Sequence, residues 1–181
     1  STSNLGLTQT ELSNITAGNL TIGSNSTGAI ATSSTVTRTN ATLGTNLSLI
    51  SGNHILINNS LTTNGTFSAT GNTSVSCISV TGLIDTTGGS GGVLLTGRNV
   101  VVTANILTAA GNIAIYGNGG GVYQAGTFDG IVINGVGVNV NTTGGNITID
   151  GRAGGGSVND GVKIVDARVE ASASGAASIT G

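Results

Sequence analysis

The sequence predicts an all-β protein, folded as a right-handed parallel β-helix (a solenoid) with three short strands in each rung. The first supporting observation is composition: the 181 residues include 32 glycines and no proline, and only 7% are charged. Val, Ile and Thr, which favour strands, are abundant, whereas the helix formers Glu, Lys, Gln and Arg are scarce, so almost no helix is expected. The second observation is a recurring glycine-bracketed motif, and the third is a pair of further short strands before its copies.

The motif reads Gly, any residue, apolar, any residue, apolar, any residue, Gly. Alternation with a period of two buries one face of a strand, and the flanking glycines mark corners of the chain. Looser copies, "GNLTIG" from Gly18 and "TNLSLIS" from Thr45, extend the pattern toward the N-terminus. The regular copies begin at Gly65, Gly91, Gly111, Gly145 and Gly175.

Two additional apolar strand positions precede the motif, for example "NVVVT" and Ile106 before the copy at Gly111. Stacking such units places each strand beside its equivalent in the next unit, about 4.8 Å away, and parallel crossovers of this kind are right-handed. An antiparallel sandwich fits less well, as does a β-propeller, which repeats at roughly 40 to 50 residues with aromatic signatures. The predicted core residues are Ile55, Ile57, Leu61, Phe67, Val93, Leu95, Val100, Val102, Ile106, Ile113, Ile115, Ile131, Ile133, Val140, Ile147, Ile149, Val162, Ile164, Val169 and Ile179.

We expect a single β-helix domain over residues 1–181. Its rungs are less regular within 1–51 and clearer within 52–181, where glycine-rich loops are inserted at 117–130 and 151–161. These two loops are expected to lie one above the other at one corner. Loops on a rigid scaffold often bind ligands, although packing of the loops on themselves or on the surface is the competing interpretation. The candidate residues for binding a partner or glycan are Tyr123, Gln124, Phe128, Asp129, Arg152 and Asp160.

Charge and hydropathy argue against several functions. The formal net charge is -2 and Lys and Arg together number 5, whereas nucleic-acid binding needs clustered basic residues. No apolar run approaches the roughly 20 residues of a membrane span. We therefore expect neither a nucleic-acid partner nor a membrane-spanning segment. The first residues lack the basic start and apolar core of a signal peptide, as is typical of a mature or excised piece of a longer protein.

The sequence offers no catalytic residue, no cofactor-binding residue and no set of metal ligands, so an enzyme is not expected. Chemistry on a polysaccharide needs converging carboxylates or an acidic calcium site. However, Asp129, Asp150 and Asp160 each precede a glycine, which favours a turn over calcium binding or catalysis. The single histidine, His54, is expected on the surface, and the single cysteine, Cys77, is expected to be buried.

Outward-facing columns of Asn, Thr and Ser are expected to form hydrogen-bonded ladders or hydrated faces. Asn-x-Ser/Thr triplets are frequent, but a chain so rich in these residue types produces them freely, so they are a weak glycosylation signal. The charge-dense segment "NDGVKIVDARVE" is expected to form surface ion pairs of small energetic worth.

Two stretches resemble the filamentous haemagglutinin-like exoproteins of two-partner secretion. "ELSNITAGNLTIGSNSTGAIAT" (residues 11–32) is similar to a segment that recurs in that family. "VNVNTTGGNITIDGRAGGGSVNDGVKIVDARVEASASGAASITG" (residues 138–181) is similar to the family's repeat arrays. The family's secretion domain with its Asn-Pro motif has no counterpart here. The resemblance implies the repeat shaft of a secreted bacterial protein, a right-handed β-helix and a role in adhesion or surface filaments.

The ends of a β-helix expose unpaired backbone groups, so solenoids need polar caps. The sequence predicts no capping helix and no charged terminal strand, which favours a section of a longer shaft or a unit that self-associates end to end. The expected function is therefore structural: an extracellular or cell-surface filament or adhesin shaft. A module that binds host or neighbour-cell glycans through the corner loops is the alternative, and an enzyme acting on polysaccharide ranks last.

Overall fold

The computed structural model describes residues 6–72, 76–118, 123–155 and 158–181, and these residues form an all-β structure with one short α-helix and one 3-10 turn at Ala41–Leu43. No helix in these ranges has the length and apolar character needed to cross a membrane. The elements in chain order are α1 Gln9–Ser13, β1 Asn19–Ser24, β2 Ile30–Ala31, β3 Val36–Arg38, β4 Asn46–Ser51, β5 Ile55–Ile57, β6 Leu61–Thr63, β7 Phe67–Gly71, β8 Cys77–Val80, β9 Ile84–Asp85, β10 Val93–Gly97, β11 Asn99–Val102, β12 Ile106–Thr108, β13 Ile113–Gly117, β14 Ile131–Thr142, β15 Ile147–Gly151, β16 Val162–Ala171 and β17 Ala177–Thr180.

The strands of the described residues lie in two sheets, and the paired strands are parallel. The first sheet has the order β1-β4-β7-β10-β13-β15-β17. The second has the order β2-β5-β8-β11-β14-β12-β9-β6-β3, with β16 paired to β14. The 12-residue strand β14 joins the two halves of the second sheet, because its start pairs with β11 and its end pairs with β12. The prediction of an all-β protein with parallel strands is confirmed.

The chain alternates between the two sheets, and we call each strand of the first sheet with the second-sheet segment that follows it a cycle. Up to β12 that segment is two short strands, whereas β13 and β15 are each followed by one long strand, β14 or β16. Each strand pairs with its equivalents in neighbouring cycles, as β13 does with β10 and β15. The bracketing glycines make this stacking possible at the corners. A Cβ atom on Gly111 would lie 2.1 Å from the carbonyl oxygen of Gly91, and a Cβ atom on Gly145 would lie 2.3 Å from that of Gly111. The corners therefore approach too closely for any side chain.

The interior is filled by aliphatic columns in register. Ile115, for example, lies between Leu95 and Ile149, and all three are fully buried. The predicted core residues that are buried are Ile55, Ile57, Leu61, Phe67, Val93, Leu95, Val100, Val102, Ile106, Ile113, Ile115, Ile131, Ile133, Val140, Ile147 and Ile149.

The core prediction was wrong for the last cycle. Ile164 is 38% exposed and Ile179 is 47% exposed, while Val162 and Val169 are only partly buried. These residues have the correct alternation, but among the described residues β16 pairs with β14 alone and β17 with β15 alone. Each of these side chains is therefore covered from one direction only.

A column of threonines is buried, contrary to the expectation that threonines face outward. Their hydroxyls satisfy the backbone where the second sheet turns toward the first. Thr86 donates to the Gly91 carbonyl over 2.6 Å, and Thr108 donates to the Gly111 carbonyl over 2.6 Å. Buried polar groups need such partners, which is why the column is tolerated. The fully buried members are Thr63, Thr86, Thr108 and Thr142.

A helix covers the N-terminal end of the interior, so the prediction that no helix caps the stack was wrong. Helix α1 begins with a capping box in which Thr8 and Glu11 satisfy each other's backbone and side-chain groups. Leu12 points into the interior and is 5% exposed. The side chain of Gln9 donates to the Thr37 carbonyl over 2.7 Å and accepts from the Thr37 amide over 2.9 Å, which occupies the outer edge of β3.

Three other expectations changed or acquired detail. Asp150 lies inside β15 rather than in a turn. Cys77 is half-buried rather than buried, in a strand where Ile78 and Val80 are the buried positions. The charge-dense segment contains two exposed ion pairs, Lys163 with Asp160 at 3.7 Å and Arg168 with Glu170 at 2.7 Å.

Candidate functional site

The two inserted loops meet at one corner, where β13 and β15 end. Residues 119–122 and 156–157 of the predicted loops lie outside the described residues. The described parts pair with each other through the backbone. The Gly126 amide donates to the Gly154 carbonyl over 2.8 Å, and the Gly154 amide donates to the Phe128 carbonyl over 3.0 Å. The two loops therefore form one surface, which we call the paired corner loops (described residues 123–130 and 152–155, with 158–161).

Asn118 holds the paired corner loops together. It is 1% exposed and has a φ of 54°, a left-handed conformation that asparagine tolerates better than most residues. Its amide nitrogen donates to the Gln124 carbonyl over 3.1 Å and to the Ala153 carbonyl over 3.3 Å. Its amide oxygen accepts from the Gln124 backbone over 2.8 Å. Gln124 thus contributes here through its backbone. The sequence did not identify Asn118 as a functional residue, because a single Asn between glycines is not distinctive.

Phe128 is fixed by a cation–π contact that the sequence did not predict. The Arg98 guanidinium carbon lies 4.1 Å from the centroid of the Phe128 ring. The backbone closes tightly around this pair, because a Cβ atom on Gly154 would lie 2.2 Å from the ring and one on Gly126 would lie 2.5 Å from Arg98. The Arg98 Nε atom is buried and has no hydrogen-bond partner among the described residues. Phe128 consequently serves loop packing, the interpretation that competed with ligand binding.

Tyr123, Arg152 and Asp160 are the exposed members of the candidate set. The Tyr123 hydroxyl donates to the Gly154 carbonyl over 2.9 Å, yet 53% of the residue remains exposed. Arg152 donates its backbone amide to the Gly117 carbonyl over 2.9 Å and leaves its side chain exposed. A ring held at one edge and open on its surface is suited to stacking against an apolar or sugar face.

Asp129 has a structural use. Its carboxylate accepts a 2.8 Å hydrogen bond from the backbone amide of Asp160, the equivalent position in the next cycle. The side chains of Asn112 and Asn146 do the same at another corner, accepting from the amides of Asn146 and Ala176 over 2.8 and 2.9 Å. The carboxylate of Asp129 therefore belongs to a set of corner ladders. Asp160 pairs with Lys163 at the surface.

The titratable side chains of the described residues do not gather into a metal-binding cluster. They contain no cluster of three or more His, Cys, Asp and Glu side chains that could hold a metal ion. His54 accepts the Cys77 backbone amide at Nδ1 over 3.0 Å, which is a cross-strand contact at the exposed surface. Burial raises the pKa of the Cys77 thiol above its ordinary value, and a hydrogen bond with Asn99 acts in the opposite direction. A raised pKa lowers the thiolate fraction and so argues against a reactive cysteine.

The chain matches no family model, and no curated protein or solved structure is significantly similar to it.

Proposed function

We propose that this chain is a section of the shaft of a secreted bacterial adhesin or extracellular filament, folded as a right-handed parallel β-helix with three strands per turn. The observation that carries the proposal is the continuous strand cycle, with its aliphatic columns in register from β1 to β17. A molecule built by repeating one unit along one axis is suited to spanning distance. The resemblance to filamentous haemagglutinin-like exoproteins supports the same function and an extracellular location.

The open C-terminal edge also favours a shaft. In the described residues, β16 and β17 each have one strand partner, and the large apolar residues Ile164, Val165 and Ile179 are exposed there. Exposed strand edges with apolar side chains are sites of pairing with further strands. We propose that another β-strand repeat occupies this edge in the assembled shaft.

Electron microscopy of the native assembly tests the shaft. The expected particle is a rod, with a repeat along its long axis of one strand spacing, about 4.8 Å, for each turn of the chain. Compact particles without a long axis would contradict the proposal.

A second function, an adhesive module, is favoured by one specific observation: Tyr123 is fixed through its hydroxyl to the Gly154 carbonyl but remains 53% exposed, and Arg152 of the same paired corner loops is also exposed. We propose surface glycans as the ligand class, because sugar rings stack on exposed aromatic faces.

Binding to a glycan array tests the adhesive module. Tyr123→Ala removes the ring, whereas the matched control Tyr123→Phe removes only the hydrogen bond to Gly154. We expect Tyr123→Ala and Arg152→Ala to abolish glycan binding, and Tyr123→Phe to retain it. Binding that is unchanged in Tyr123→Ala, or absent from the wild-type chain, would eliminate this function and leave the shaft untouched.

A further inference from the structure

We infer that Asn134 is a site of spontaneous covalent modification, at which the folded chain loses ammonia and gains a carboxylate. An asparagine followed by glycine forms a cyclic imide with its own backbone more readily than other asparagines, because glycine has no side chain to obstruct ring closure. The sequence contains three such pairs, which begin at Asn64, Asn118 and Asn134. Of the three, Asn134 combines an unrestrained side chain with a backbone that is unpaired on its C-terminal side.

The reaction needs only the chain and water. The backbone nitrogen of Gly135, after losing its proton, attacks the side-chain carbon Cγ of Asn134, and the Cγ–Nδ2 bond breaks as ammonia leaves with a proton. Water then opens the succinimide ring. Cleavage of the bond between Cγ and the Gly135 nitrogen gives aspartate, whereas cleavage of the bond between the Asn134 carbonyl carbon and that nitrogen gives isoaspartate. Both products have one carboxylate in place of the neutral amide.

The backbone that follows Asn134 forms a bulge without strand partners. Strand β11 pairs with β14 as far as Ile133, and β12 pairs with β14 from Val140 onward. On the other side of β14, the register with β16 is interrupted between Asn134 and Val138. Residues 135–137 therefore have no register partner in any described strand, and a segment of this kind opens locally at a low cost in free energy.

The side chain of Asn134 is free to turn toward the bulge. Asn134 is exposed, and its side-chain amide makes no hydrogen bond with the described residues. Val136 is 92% exposed, so the bulge projects from the sheet into solvent. Gly135 has a φ of 137°, a conformation that favours glycine. The shape of the bulge thus favours the residue type that makes the preceding asparagine reactive.

The pair at Asn64 is restrained at both of its reacting groups. The side-chain amide nitrogen of Asn64 donates to the Thr39 carbonyl over 3.1 Å. The backbone nitrogen of Gly65, which would have to lose its proton, donates that proton to the buried Thr63 hydroxyl over 3.2 Å. A proton held in a buried hydrogen bond is removed only when the structure opens. Folding should therefore protect Asn64 and leave Asn134 unprotected.

The pair at Asn118 is restrained by burial and by side-chain contacts. Asn118 is 1% exposed, and its amide nitrogen donates to the carbonyls of Gln124 and Ala153. Its amide oxygen accepts from the Gln124 backbone amide. Imide formation would break all three hydrogen bonds, so Asn118 is a second protected position in the same molecule.

The bulge can also accommodate the products. Isoaspartate lengthens the main chain by one carbon between Asn134 and Gly135, where the register of β14 with β16 is already interrupted. Residues 135–137 have no register partner to lose, so the extra length falls outside the paired segments. The modified chain should keep its two sheets, while the one added carboxylate changes its formal net charge from -2 to -3.

Peptide mapping by mass spectrometry tests the inference on wild-type chain incubated at neutral pH, both folded and unfolded in guanidinium. In the unfolded chain the three Asn-Gly pairs should deamidate at similar rates, because only the local sequence governs them. In the folded chain Asn134 should deamidate at least about tenfold faster than Asn64 and Asn118, whose reaction requires opening of the structure. Isoaspartate at position 134, detected by enzymatic methylation, should accompany aspartate, because both arise from the succinimide.

Isoelectric focusing of two variants provides a second measurement. Asn134→Gln should prevent the acidic form from accumulating, because glutamine would have to close a larger ring. The matched control Asn25→Gln changes an exposed asparagine that precedes serine, and should leave the acidic form unchanged.

Two results would overturn the inference. One is folded wild-type chain in which Asn64 or Asn118 reacts as fast as Asn134, or in which Asn134 does not react. The other is an acidic form that accumulates equally in Asn134→Gln. Neither result depends on the shaft or on glycan binding, so this inference and the proposed functions fail separately.

Discussion

Ile149 and Ile179 are register partners in β15 and β17, yet Ile149 is fully buried and Ile179 is 47% exposed. The two residues have the same side chain, the same place in the motif and the same column. They differ in that Ile149 has a strand on each side and Ile179, among the described residues, has one. Burial in this protein is therefore a property of the neighbouring cycles more than of the motif itself, as expected where each strand packs only against its neighbours.

The residue at the N-terminal end of this column can be compared with the same two isoleucines. Ile22 begins the same column and is half-buried, and it lines a cavity together with Leu12 of α1. A short helix thus covers the interior in part, while a paired strand covers it fully. The difference between the body of the stack and its two ends leads to four predictions.

The largest effect should come from truncating the column in the body. Ile149→Ala removes a fully buried side chain between two strands, and should destabilise the fold by about 2–5 kcal/mol. The matched change Ile179→Ala should have an effect below about 1.5 kcal/mol, because nearly half of the residue is already exposed. Guanidinium denaturation of the two variants measures the difference. Equal losses of stability in Ile149→Ala and Ile179→Ala would contradict the claim that burial depends on a strand on each side.

The buried threonine column should be the next most sensitive feature. Thr142 donates to the Gly111 carbonyl over 3.0 Å and accepts from the Gly145 amide over 2.9 Å. Thr142→Val keeps the shape but leaves the buried Gly145 amide without this acceptor, at a cost of about 1–3 kcal/mol. Thr148→Val on the outer face of β15 is the control and should be close to neutral. The shift in denaturation midpoint distinguishes the two positions.

A smaller effect is expected at the corner ladders. Asn146→Ala removes the oxygen that accepts from the Ala176 amide, and should cost about 0.5–1.5 kcal/mol. Asn146→Asp should retain most of the stability, since Asp129 already makes the equivalent contact with a carboxylate. Thermal denaturation of the pair checks this. If Asn146→Asp lost as much stability as Asn146→Ala, the ladder would need an amide side chain specifically.

The smallest effect should be the response of α1 to acid. Hydrogen bonds from the backbone and side chain of Thr8 lower the pKa of Glu11. Because the folded-state pKa is lowered, the capping box stabilises α1 above the ordinary glutamate pKa of about 4.3, and this contribution is lost as the pH falls through the lower, folded-state pKa.

An NMR titration of the Thr8 amide should follow that loss of the capping box. Glu11→Gln keeps a hydrogen-bonding side chain without the charge, and should remove the pH dependence over this range. The same acid response in Glu11→Gln would assign it to another group.

Much of the parallel pairing could be predicted from the sequence, because strand period and corner glycines are local signals. Ile113 and Ile115 show both, with alternation inside the strand and glycines on each side. The exposure of Ile164 and Ile179 could not be predicted in this way, since it depends on what lies beside the strand and not on the strand's own pattern.

Features built from distant polar contacts were also missed. Arg38 is buried because carbonyls 21 to 26 residues away accept from it, and no local pattern marks that position. Helix α1 has too few residues to produce a helical period, although Thr8 and Glu11 do have capping-box spacing. At the candidate site, Tyr123 was found from its residue type, whereas Arg98 and Asn118 act only through contacts made by the folded loops.

Native-state hydrogen exchange of the whole chain tests most directly whether burial and stability come from neighbouring cycles. The account predicts that the amides of Ile113 and Ile147 exchange slowly in the body, because they donate to the carbonyls of Asn146 and Ala176, the residues just before β15 and β17. Protection should be similar in β13 and β15, which each have two flanking strands, and lower in β17, which has one among the described residues. It should also be lower in β16, which pairs with β14 alone, than in β14. Uniform protection in β13, β15 and β17 would contradict the account.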